Sequence, residues 1–235
     1  MVAGAEDDAP LLAIHPDGAV DVRLATPQRE STATLGARAA RSTAESAISR
    51  FGLVTDVDVA FDGIRELREA GGTDDGSGER VAPRTVETTV EFRQVVNGVP
   101  IVTPGAGALR VTIDNEGTVT HIHDSSRPVE RLRGGVGDMP GPDGERIAAL
   151  ALPEPGSASA DGGIDAVFGP ALRDRLLGIA VRGGAALGYE VVPGSTVVGY
   201  DLRGDSARPV ARREVEFDLG SGLRKRYALV APLAE

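Results

Sequence analysis

The segment from Val90 to Ile122 limits the fold more than any other part of the chain, because it sets a short turn between two alternating segments. In "VETTVEFRQV", Val86, Thr88, Val90 and Phe92 share one face while Glu87, Thr89, Glu91 and Arg93 share the other. "ALRVTID" repeats the pattern, with Leu109, Val111 and Ile113 set against Arg110, Thr112 and Asp114. Asn115-Glu116-Gly117 then closes a hairpin into "TVTHIHD". Between these strands lies Asn97-Gly98-Val99-Pro100, where Asn-Gly suits a tight turn and Pro100 restricts the chain as it leaves. Alternation of this kind specifies an antiparallel sheet with one wet face, and its dry face needs a cover.

A helix is predicted upstream to supply that cover. The alanine-rich stretch from Ser31 to Arg50 places Leu35, Ala39, Ala44, Ile48 and Phe51 near one face, and Gly52 stands where a helix C-cap belongs. Before it, "PLLAIHPDGAVDVRLA" predicts a hairpin around Pro16-Asp17-Gly18. After it, "VTDVDVAFDGIRELREA" begins as a strand on Val57, Val59 and Phe61, and "GGTDDGSGER" is a polar loop.

The second half repeats this grammar. "RGGVGDMPGPDG", residues 133–144, is the best linker, and "ERIAALAL" is a short helix candidate. "IDAVFGPALRDRLLGIAV" is mixed and helical in its second half. "ALGYEVVP", "STVVGYDL", "ARREVEFDLG" and "LRKRYALVAP" predict a meander, with turns at Pro193-Gly194, Gly204-Asp205 and Gly220-Ser221-Gly222.

Composition narrows the functional classes. Aromatics make up 3% of the 235 residues and tryptophan is absent, so the core rests on aliphatics with five phenylalanines as fillers. The formal charge of −10 repels a nucleic-acid backbone, and no basic stripe offsets it. With no cysteine there are no disulfides, thiolate metal sites or thiol catalysis. The N-terminus does not read as a signal peptide, and no run approaches the length of a membrane span. The expected location is therefore cytoplasmic, or secreted or at the cell envelope if a leader has been removed. The arginine bias, with Lys225 the single lysine, fits a GC-rich bacterial genome.

"VEFRQVVNGVPIV" followed by "ALRVTIDNEGTVTHI" resembles the propeptide region of thermolysin- and fungalysin-type metalloproteases. Phe92, Gln94, Asn97-Gly98-Val99-Pro100-Ile101, Val111, Ile113, Asp114, Gly117 and Val119 carry that likeness. The tail resembles a PepSY domain through Tyr189, Val191, Phe217, Asp218, Gly222 and Leu223. Those propeptides often carry the two modules in this order. The chain departs from them at Thr103-Pro104-Gly105-Ala106-Gly107, and it contains no His-Glu-x-x-His. The resemblance implies an α+β fold with helices packed on antiparallel sheets, in two cystatin-like or PepSY-like modules. These would be an FTP-like module over residues 1–132 and a PepSY-like module over 145–235, joined by the linker at 133–144. It further implies a non-catalytic inhibitor or folding assistant of a metalloprotease.

Site candidates are few. Gln94, Asn97, Gly98, Val99 and Pro100 are the expected binding residues, at the turn and the sheet edge near it. His121 and His123 project to one face of a strand and form the only metal-like pair, but nothing nearby in sequence supplies a third or fourth ligand. The plainer reading puts them on a polar strand face, with no metal or other cofactor. Asp56, Asp58, Glu87, Glu91, Glu214, Glu216 and Asp218 fall on outward faces, and no spacing selects an acid–base pair among them, so no catalytic residue is assigned. The alternative is a small-molecule binder or enzyme that uses a pocket between helix and curved sheet, for which Thr88 and Gln94 are polar residues on the dry face. Expected partners are a metalloprotease or other protein, or a small molecule.

Overall fold

A computed structural model describes residues 11–54, 56–70, 82–132, 164–182, 184 and 186–233. The predicted linker at 133–144 and the helix candidate at 145–152 lie outside the described residues. In chain order the elements are β1 (Leu11–Ile14), β2 (Val20–Arg23), α1 (Ala37–Phe51), β3 (Asp58–Glu69), β4 (Arg84–Val96), β5 (Val99–Pro100), β6 (Ala108–Asp114) and β7 (Val119–Asp124). Then follow β8 (Arg131–Leu132), α2 (Ile164–Val181), β9 (Gly188–Val191), β10 (Val197–Arg203), β11 (Ser206–Asp218) and β12 (Arg224–Pro232).

The expected α+β class, with helices packed on sheets, is corrected to a mostly-β architecture. Strand accounts for 48% and helix for 17%, with two helices among the described residues. The excess of strand comes from long ladders that local alternation under-reads. β3 runs for 12 residues, past the point where its alternation fades, because bulges between Phe61 and Gly63 and between Leu67 and Arg68 keep it in register with β4. β4 and β11 each run for 13 residues.

The chain forms two compact units, one from residues 1–95 and 105–128 and one from 96–104 and 129–235. In the first, the strand order is β1-β2-β7-β6-β4-β3, with antiparallel neighbours throughout. Its core joins Val90 and Phe92 of β4, Leu109, Val111 and Ile113 of β6, and Ile122 of β7 to Ala40, Ala44, Ala47 and Ile48 of α1. That spacing puts one α1 face on the sheet. The predicted face was rotated: Ala39 and Phe51 are exposed. Gly52 ends α1 at φ 61°, and Gly52 N–H donates to Ser49 O while Leu53 N–H donates to Ile48 O, a Schellman closure.

In the second unit β11 is the central strand. β12 pairs along it from Val210 to Asp218, while β10 takes Ser206 to Arg212 and β9 takes Val215 to Asp218. The expected meander is thus redirected, since β9 pairs with β11 rather than with β10. Ser195 explains the jog, because its hydroxyl donates to Val192 O and accepts from the backbone N–H of Glu214. α2 is helical over its whole span despite Pro170, and packs with Phe168 and Ile179 against Val215, Phe217 and Leu229.

Candidate functional site

The binding residues expected around the Asn-Gly turn fall in two different settings. Gln94 is 1% exposed, and its side chain is committed to the backbone of Arg127, with Nε2 donating to Arg127 O at 2.7 Å and Oε1 accepting from Arg127 N–H at 3.1 Å. Asn97 and Gly98 adopt φ of 52° and 76°, the left-handed pair that a tight two-residue turn requires. Both are exposed, whereas Val99 is buried and Pro100 is half-buried. Asn97 to Pro100 belong to the second unit, where Ile101 bridges Tyr200 and Val102 N–H donates to Tyr200 O at 2.9 Å. Thr103 Oγ1 then donates to Asp201 Oδ1 at 3.0 Å.

The histidine pair is placed differently. A bulge between β6 and β7 turns both His121 and His123 onto the sheet face away from α1, opposite Thr112 and Arg110. On the other side β2 sets Asp21 opposite His123 and Arg23 opposite His121. His121 Nε2 and His123 Nδ1 each lie 3.0 Å from Asp21 Oδ1, and His15 Nε2 lies 2.6 Å from Asp21 Oδ2. All three histidines of the chain thus converge on one carboxylate. Burial raises the Asp21 carboxyl, but hydrogen bonds from His123 and His15 and the charges of His123 and His121 outweigh it, so it lies below its ordinary value. Among the described residues, no group of three or more histidine or acidic side chains is arranged to hold a metal ion.

Beside this cluster lies a cleft of about 760 Å³, on the polar face of the sheet. Asp21, Arg23, Glu87 and His121 form its charged floor, and Arg29 and Glu30 come from the segment that follows β2. Leu11 and Ala13 of β1 form an apolar wall. Thr120, displaced by the bulge, donates to Glu87 Oε1 at 2.8 Å. The cleft is therefore not the expected one between helix and sheet. Sequence reasoning missed Asp21, His15, Arg23 and Arg29; the only available signal was the polar alternation of "VDVR", which does not show that its partner strand lies 100 residues away.

The lower part of that face is tied up in structural pairs. Glu91, 7% exposed, accepts from Arg110 Nε and from Arg65 Nε, each at 3.0 Å, and Thr89 bonds Thr112 at 3.0 Å. No known protein family matches the chain, and no curated protein matches it either. No helix among the described residues is long and apolar enough to cross a membrane.

Proposed function

We propose that this chain is a non-catalytic, propeptide-like interaction module that inhibits a metalloprotease or assists its folding, and that it engages its partner by strand addition. The observation that carries the reading is β1. It ends the six-strand path of the first sheet, and among the described residues only β2 pairs with it. Leu11, Leu12 and Ile14 of this edge are all more than half exposed. An exposed edge strand that is apolar and uncharged invites a further strand, with backbone hydrogen bonds giving affinity and alternate side chains giving selectivity. The motif residues of the resemblance support the same reading, since Asn97-Gly98 forms the turn that follows β4 and Gly117, at φ 86°, closes the β6–β7 hairpin.

The test is inhibition of a thermolysin-type metalloprotease by the purified chain, together with refolding of the denatured protease in its presence. Slow, tight inhibition or an increased refolding yield is expected. Neither effect at a large molar excess would sink the reading.

A second reading, that of a small-molecule binder, is favoured by the cleft. Its volume falls within the range of pockets that hold small ligands, and it mixes charged groups with an apolar wall. Binding there is testable by chemical-shift changes confined to residues 11–30 and 119–124.

A further inference from the structure

We propose that the cleft beside β2 is an acid-switched anion site, binding a small, multiply charged carboxylate or phosphate when the histidines around Asp21 are protonated. The inference rests on the second reading above, that the cleft takes a small ligand.

The permanent contacts are Arg23 and Arg29. Both line the cleft, and neither forms an ion pair among the described residues. That sets them apart in a chain whose sheet arginines are largely committed: Arg65 and Arg110 to Glu91, Arg93 to Asp62, Arg203 and Arg208 to Asp201, and Arg224 and Arg226 to Glu216. A guanidinium offers a planar fork of donors matched to carboxylate and phosphate oxygens.

The switch follows from the charges lining the cleft. With the histidines neutral, two guanidiniums face three carboxylates, Asp21, Glu30 and Glu87, leaving one negative charge that repels an anion. Histidine is the side chain that changes charge between about pH 5 and 8. Protonating His121, the histidine that lines the cleft, brings the lining to neutral, and protonating His15 and His123 places further positive charge against Asp21. Asp21 is the carboxylate that all three contact, and one carboxylate offsets only one of them.

Two further carboxylates, Asp17 and Asp124, flank His15 and His123 in sequence and offset their charge outside the cleft lining. Asp17, in the β1–β2 turn, accepts from Ala19 N–H, and Asp124, beside His123, accepts from Ser126. Across from β7, Arg110 is occupied with Glu91, while Thr112 is bonded to Thr89. Acidification therefore removes the net negative charge of the cleft lining and leaves Arg23 and Arg29 unopposed, and the effect stays local because salt screens exposed charges over about 8 Å.

The experiment is calorimetric titration of the full chain with citrate, pyrophosphate and spermidine, at about pH 5.5 and about pH 8 and fixed ionic strength. Citrate or pyrophosphate is expected to bind at least about tenfold more tightly at the lower pH. The stronger of the two identifies the ligand class. Arg23→Gln should weaken binding at both pH values, whereas His15→Gln and His121→Gln should weaken it only at the lower one. Anion binding of equal strength at both pH values, or unaffected by Arg23→Gln, would overturn the proposal. Spermidine binding alone, lost in Glu87→Gln, would overturn it too while leaving the small-ligand reading standing. Binding of none of the three would remove both.

Discussion

Gln94 shows how a polar residue on an apolar strand face can be structural. Its side chain spans 33 residues of sequence to close both backbone groups of Arg127, and its own N–H donates to Gly107 O at 2.8 Å. Gln94→Leu keeps the volume and leaves the Arg127 N–H and C=O without their partner. An unpaired buried polar group costs about 1–3 kcal/mol, so urea unfolding should show a loss of about 2–4 kcal/mol. An unchanged midpoint would mean that water replaces the amide. At Asp21 the argument concerns pH. Its folded value lies below the ordinary one, so its contribution to stability is complete above about pH 4 and is lost as pH falls through the lowered value. Asp21→Asn should therefore be less stable than the parent by about 1 kcal/mol near neutrality, with the gap closing below about pH 4. Thermal unfolding across that range tests the sign. A gap that fails to close below about pH 4 would contradict it.

The elements were legible from sequence where their signals are local. The alternation of β4 and β6, the Gly52 stop of α1 and the glycines at 18, 117, 194 and 204 each settle the conformation of a few residues, and all can be read from neighbours. Pairing between distant strands was not legible. Pro193-Gly194 has the chemistry of a hairpin turn, yet Ser195 ties that turn to Glu214, and β9 and β10 both pair with β11. The histidine cluster was hidden for the same reason: His15 and Asp21 lie about 100 residues from His121 and His123, and only the β2–β7 register brings them together. A similar long-range contact fixes Gly199 of β10. A Cβ built there would collide with Pro100 O and lie 2.5 Å from Val102 Cγ1, so only glycine admits the segment that bridges Ile101 to Tyr200. Gly199→Ala must move backbone, and a cost of roughly 1–3 kcal/mol is expected, measured by denaturant unfolding. Gly63→Ala, with open space around its position, is the control and should shift the midpoint far less.

For the whole molecule, the question is whether charge or apolar surface governs encounters with a partner. A formal charge of −10 holds copies of the chain apart and steers it toward basic surfaces, but it is long-ranged and unselective. Selectivity on the interaction-module reading comes from β1, where Leu12 and Ile14 lie on the sheet face opposite that of Leu11 and Ala13. The two terms separate experimentally. Leu12 and Ile14 are 60% and 71% exposed, so replacing both with lysine removes little buried area, and the thermal midpoint should hold within a few degrees. The same exchange places like charges along the edge and should abolish strand addition, seen as loss of protease inhibition. Raising the salt concentration should slow association of the parent chain with a basic protease while leaving dissociation nearly constant. Inhibition that survives the double lysine exchange but vanishes in salt would assign the interaction to charge alone, and β1 would then be an edge without a partner.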